Sequence, residues 1–235
     1  ANINNYYYSF DGGITWVNKE ISDSKNGVWG DPVLIFDNNG AAYFFHLSRP
    51  SNSQWIDRIV GQKSTDGGMT YEDPGTYMGL KKTKKQDKPW ACVDNTESKW
   101  RNNIYVTWTQ FDAYDSHRPE DQSNIMFSFS SDAGTTWSNA LRINKISGDC
   151  VDSSNTTEGA VPCIGPNGEI YVSWSVHDKL YFDKSLDGGA TWLDDDVFAG
   201  KQYGGWVYDI EGIFRCNGLP ITQCDISNSP YKGTI

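Results

Sequence analysis

Four aspartates, Asp11, Asp66, Asp132 and Asp187, are the carboxylates of this chain that recur at a regular spacing, 55, 66 and 55 residues apart. Each stands in one phrase, Ser-x-Asp-x-Gly-x-Thr-aromatic, at residues 9–16, 64–71, 130–137 and 185–192. A row of carboxylates could hold calcium or supply paired acids for proton transfer. Their identical setting points to local structure instead. Asp followed by two glycines between apolar runs is hairpin chemistry: glycine supplies a positive φ, and the Asp side chain accepts backbone amide hydrogens within the turn. The Ser and Thr hydroxyls can join the same network, and the closing Trp or Tyr covers the turn with an apolar face. Ala133 replaces the first glycine in the third copy, so only the second glycine is expected to be obligatory.

Other groups have irregular spacing. One long loop, 110–122, carries Asp112, Tyr114, Asp115 and Arg118. Aromatic faces for sugar C–H groups, with charged groups for hydroxyls, would suit a saccharide cleft; a surface insertion is the alternative. Asp194, Asp195 and Asp196 lack the ligand spacing of a calcium loop and read as solvated, so no cofactor is expected and calcium has no specific motif. The five cysteines form no CxxC pair, which leaves zinc and thioredoxin-type chemistry without support. One or two disulfides would fit an exported protein, with an odd thiol left over. Asn155-Thr156-Thr157 is a glycosylation sequon, meaningful only in a eukaryotic secretory pathway. The basic run from Lys81 to Lys85 is expected to be a solvated loop.

The formal net charge is −10. That argues against a nucleic-acid partner, which needs concentrated Lys and Arg. No stretch approaches the roughly 18 apolar residues of a membrane span, and no basic leader precedes an apolar run. With 23 Gly, 10 Trp and 13 Tyr and no capped helix-period segments, the 235 residues suit short strands joined by tight turns.

These turns must be carried by strands, and aligning on the aspartates exposes them. First strands are expected at 31–37, 88–94 and 160–164, second strands at 42–46, 104–108 and 170–174, and third strands at 58–63, 124–129 and 180–182, each third strand leading into an Asp phrase and a fourth strand. Four antiparallel strands per repeat is a propeller blade. The expected fold is all-β: a single propeller domain or fragment over 1–235, with blades at about 27–86, 87–156 and 157–209 and partial blades at 1–26 and 210–235. Residues 219–222 look like a further first strand, and 233–235 like the opening of its second. Part of a larger, six-bladed wheel and a closed four-bladed ring are both compatible with this pattern.

The repeated phrase resembles the Asp box, or BNR repeat, of sialidase-like β-propellers. The segments 87–96 and 158–162 are similar to those of exported bacterial BNR-repeat proteins labelled glycosyl hydrolases. The resemblance implies Asp boxes on the outer rim, with a ligand site near the axis on the opposite face. It nominates Trp29, Asp31, Asp87, Trp90, Glu158, Glu211 and Arg215 on loops leading into first strands. On the other loops of that face it nominates His46, Arg49, Asp57, Asp112, Tyr114, Asp115, His117, Arg118, His177 and Asp178. As catalytic candidates it puts forward Glu158, Asp87, Asp112, Arg118 and Arg215, with Glu158 the acid to test first. Sialidases clamp the substrate carboxylate with three arginines, one in an Arg-Ile-Pro motif, which is absent here. The implied function is a secreted or cell-surface, carbohydrate-active protein that cleaves a glycan or polysaccharide. A non-catalytic propeller that binds a glycan or a protein partner is the alternative.

Overall fold

A computed structural model of the chain describes residues 3–22, 25–153, 155–202, 204, 208–214 and 216–235. Among these there are fourteen strands and no helix. β1 (Ile3–Tyr8) and β2 (Val17–Ser22) form a two-stranded sheet. Three four-stranded sheets follow. The first contains β3 (Val33–Phe36), β4 (Ala42–Leu47), β5 (Ile59–Ser64) and β6 (Thr76–Met78). The second contains β7 (Lys85–Val93), β8 (Ile104–Phe111), β9 (Ser123–Ser130) and β10 (Leu141–Arg142). The third contains β11 (Glu158–Ile164), β12 (Ile170–Val176), β13 (Lys179–Ser185) and β14 (Val197–Lys201). In each, strands pair antiparallel in chain order.

The sheets meet through side chains. β7 lies against β3 on one side and β11 on the other, which ranges the first strands about a common centre. Between the first and second sheets the core contains Phe45, Ile59, Val106 and Trp108; between the second and third it contains Phe127, Ile170, Val172 and Trp174. Hydroxyls bridge the seams: Thr107 Oγ1 donates to the Ala160 carbonyl at 2.8 Å, and Thr76 Oγ1 to that of Gly134 at 2.8 Å.

Each repeated phrase joins a third strand to a fourth. Asp11 Oδ1 accepts the Thr15 amide at 2.9 Å and Oδ2 the Thr15 hydroxyl at 2.6 Å. The matching Thr amides reach Asp66, Asp132 and Asp187 at 2.9 Å each. In all four copies the second glycine's N–H donates to the Ser hydroxyl at 2.9 Å. Two details differ from the sequence reading. The first glycine position also needs a positive φ, 71° at Gly12 and 78° at Gly67 and Gly188, and Ala133 adopts 56° there. The closing aromatic of the later copies also reaches the preceding sheet. Trp137 packs edge-on against Phe45 and Trp192 against Phe127, at ring separations of 5.7 and 5.0 Å.

Two further expectations are corrected. The basic run is not wholly solvated: Lys85 opens β7 with its ammonium on the Trp55 carbonyl at 2.9 Å, and Lys84 pairs with Asp112 at 2.5 Å. Residues 219–222 form no strand and pair with no ladder among the described residues. The hairpin beyond them nonetheless copies the one after β7. Asp94 N–H bonds the Asn103 carbonyl and Asn102 N–H returns to Asp94; Asp225 does the same with Thr234 and Gly233. In both turns the Asp carboxylate accepts hydrogen bonds from Ser or Thr side chains two or four residues on.

Candidate active site

The first strands begin with an irregularity. The β7–β8 register skips between Asp87 and Trp90, and the β11–β12 register skips in the same way between Glu158 and Val161. The residue inside each bulge is left-handed, Lys88 at φ 47° and Gly159 at φ 73°. Asp31, at φ 56° just before β3, is the first sheet's counterpart. A bulge of this kind re-aims the flanking side chains at the end of a strand. Here it turns two carboxyls, Asp87 and Glu158, into the gap between adjacent sheets.

Both are buried, with Asp87 7% and Glu158 0% exposed. Neither carboxyl oxygen of Glu158 has a hydrogen-bond partner among the described residues. Burial raises the pKa of both, and the negative charges of neighbours add to it: Asp31 for Asp87; Asp87, Asp152 and Asp31 for Glu158. Lys88 acts on both in the opposite direction. Tyr114 closes the cluster from the loop after β8, donating its hydroxyl to Asp152 Oδ2, and burial followed by that bond pushes its pKa up. The ring stands edge-on to Trp55, which stands edge-on to Trp29.

A cleft of about 250 Å³ opens beside these acids. Asp31, Lys88 and Gly159 form one part of its wall, and Val33, Trp90, Leu219 and Ile221 supply apolar surface. A second open space of about 500 Å³ adjoins it along the first strands, lined in part by Trp90, Cys92, Cys163 and Cys224. All five cysteines are free thiols.

The other nominated residues have partners of their own or face solvent. Asp112 is engaged with Lys84, and Arg118 is an exposed residue paired with Glu120. Arg49 stacks over Trp29. Asp57 is held by Arg58 and Ser48, and His46 is buried between the Leu47 carbonyl and Gln62. His177 is exposed against Asn155 and the Ser147 carbonyl. Asp115, His117, Asp178 and Glu211 are exposed. Arg215 lies outside the described residues. Asp152 was missed by the sequence reading: it lies in the loop leading into β11, where no motif singles it out. Asp196, expected to be merely solvated, accepts the Lys145 and Ile146 amides at 2.8 and 2.9 Å. Among the described residues no cluster of three or more His, Cys, Asp or Glu side chains could hold a metal ion.

No protein-family model matches the chain, and no curated protein does. Solved structures do. A leech intramolecular trans-sialidase, complexed with 2,7-anhydro-Neu5Ac, is 14% identical, with a TM-score of 0.55 over 83% of this chain and 46% of its own. The fold is that of a sialidase-like β-propeller. A Penicillium chrysogenum α-L-arabinanase complexed with arabinobiose is 16% identical, with a TM-score of 0.52 over 80% of this propeller and 57% of the arabinanase. The Hadza microbial sialidase Hz136 is 22% identical, with a TM-score of 0.50 over 69% and 36% respectively. The propeller chain thus spans less than two thirds of each of these proteins, and at such identities the likeness is one of fold.

Proposed function

We propose that this propeller is a glycan-cleaving domain, a glycoside hydrolase whose reaction centre is the acid cluster at the bulged ends of β7 and β11. The observation that carries the reading is Glu158, a fully buried carboxyl with no hydrogen-bond partner among the described residues, set with a second buried carboxyl, Asp87, next to Lys88 and Gly159 of a cleft wall. Glycoside hydrolysis uses one protonated carboxyl to donate to the leaving oxygen and one ionised carboxylate to activate water or attack the anomeric carbon. A buried acid whose proton is retained near neutral pH suits the first role. Glu158 is therefore the general acid. Asp31, part of the cleft wall, serves as the base or nucleophile and stabilises the developing oxocarbenium ion. Trp90, 37% exposed on the same cleft, offers a face for a sugar ring. Neighbouring folds that are sialidases and an arabinanase support the substrate class by analogy. Export to the cell surface or medium belongs to the same reading, and fractionation of the producing cells checks it.

Glu158→Gln tests the assignment. Release of reducing ends from the cleaved glycan should fall by about 10²–10⁴-fold, the contribution of general acid catalysis. Binding should persist. If turnover is unchanged, Glu158 is not the acid; if no glycan is cleaved by the wild type, the propeller is a binding module. The variant has a second readout. A carboxyl with a raised folded pKa favours the fold below its unfolded value near 4, and that contribution is lost as pH rises through the folded pKa. Wild-type stability should thus decline as pH rises above that unfolded value, and the Glu158→Gln replacement should flatten the decline in urea unfolding curves.

A further inference from the structure

We infer that the saccharide taken at this site is uncharged: a neutral glycan, and not a sialoside or a uronate. The inference rests on the hydrolase reading and asks what the cleft would do to a carboxylate. Asp31 is part of the cleft wall, Asp87 and Glu158 stand behind it, and Tyr114 brings Asp152 to the same cluster. The cation beside them is Lys88, one positive charge among four carboxyl groups. A carboxylated sugar is ordinarily held by arginine forks, which pair with both oxygens.

The arginines described are committed elsewhere. Arg58 grips Asp57 through two nitrogens and stacks on Tyr77. Arg49 covers Trp29. Arg101 pairs with Glu97, Arg118 with Glu120, and Arg142 is wrapped by the Asn144 and Lys145 carbonyls and the Ser147 hydroxyl. The remainder of the cleft, Asn217 apart, is apolar, with Val33, Trp90, Leu219 and Ile221 in a wall suited to sugar C–H faces. The net charge of −10 adds a long-range field of the same sign. An anionic sugar would meet like charge without a compensating fork among the described residues, whereas a neutral one has only hydroxyls to place.

The test uses the Glu158→Gln protein in affinity electrophoresis at low salt, with arabinan, galactan, xylan and mixed-linkage β-glucan as neutral probes. Polygalacturonate, carboxyl-reduced polygalacturonate and 3′-sialyllactose complete the set, the last read by calorimetry. Retention by at least one neutral polymer and none by the acidic probes is expected. Asp31→Asn removes one wall charge and should raise affinity for polygalacturonate relative to its reduced form by about tenfold, the scale of one unit charge a few ångströms away. Tighter binding of an acidic probe than of every neutral one, or binding of no neutral glycan, overturns the inference. The two readings separate. Neutral binding without cleavage by the wild type upholds this inference and sinks the hydrolase; cleavage of an acidic glycan does the reverse.

Discussion

At the scale of single residues, the same side chain does opposite work in two settings. The Asp of each repeated turn is fully served by hydrogen-bond donors, and this lowers the pKa of Asp11 and Asp66 to about 2, with the Thr hydroxyl the largest cause. Glu158 has no donor among the described residues and Asp87 accepts the Lys88 amide at 2.9 Å, and burial shifts both the other way. The first pattern yields a stability prediction. A depressed folded pKa contributes stability above the unfolded value near 4, lost as pH falls through about 2. Asp66→Asn should therefore be less stable than wild type at pH 7, with the gap closing towards pH 2 in urea titrations; a constant gap would mean the carboxylate charge is irrelevant to the turn. The turn aspartates were legible in the sequence because their environment is local and repeats with the phrase. Glu158 and Asp87 were nominated through family likeness. What joins them to Asp31, Asp152 and Tyr114 is packing between sheets, which leaves no sequence period. For the same reason the sequence reading grouped Asp112 and Arg118 with the site by loop alone, and each turned out to have its own ionic partner.

At the scale of elements, the bulge at the start of each first strand positions the site. Non-glycine residues in the left-handed region cost about 1 kcal/mol or more, and they persist where the surroundings over-determine them. Asp31, Ile56, Lys88 and Asp152 are all in this region, at φ 44–56°, and all four lie at or beside the acid cluster. Ile56 is the severest, a β-branched residue at φ 44° whose carbonyl accepts the Gln86 amide next to Asp87. Blade three already has glycine at the Lys88 position, so Lys88→Gly should fit. It is expected to raise stability by about 0.5–1 kcal/mol through relief of the strained φ. Because Lys88 lowers the pKa of both acids, its loss should also move the pH limb of activity that reports their ionisation upward. The opposite change, Gly159→Ala, combines φ 73° with a Cβ 2.9 Å from Leu219 Cβ, and should cost about 1–3 kcal/mol in denaturant unfolding. The strands themselves were largely legible from alternation and turn residues. The bulges were not, since a skipped register is decided by the partner strand, and residues 219–222 show that a strand-like pattern alone makes no strand.

At the scale of the whole molecule, every described strand pairs with a neighbour in sequence, so each ladder closes over a short stretch of chain. No ladder runs from one four-stranded sheet to the next; the seams are apolar side chains and a few hydroxyl bridges. Amide hydrogen exchange should accordingly resolve the three four-stranded sheets as separate protection groups, with the central strands β4, β8 and β12 slowest in each. One opening free energy shared by all three would contradict this. The aromatic that closes each later turn gives these seams a direction. Trp137 caps the sheet before its own, and so does Trp192. The wheel is therefore vectorial: each member is sealed by its successor, and a defect in one unit loosens the one upstream of it while leaving its own ladder intact.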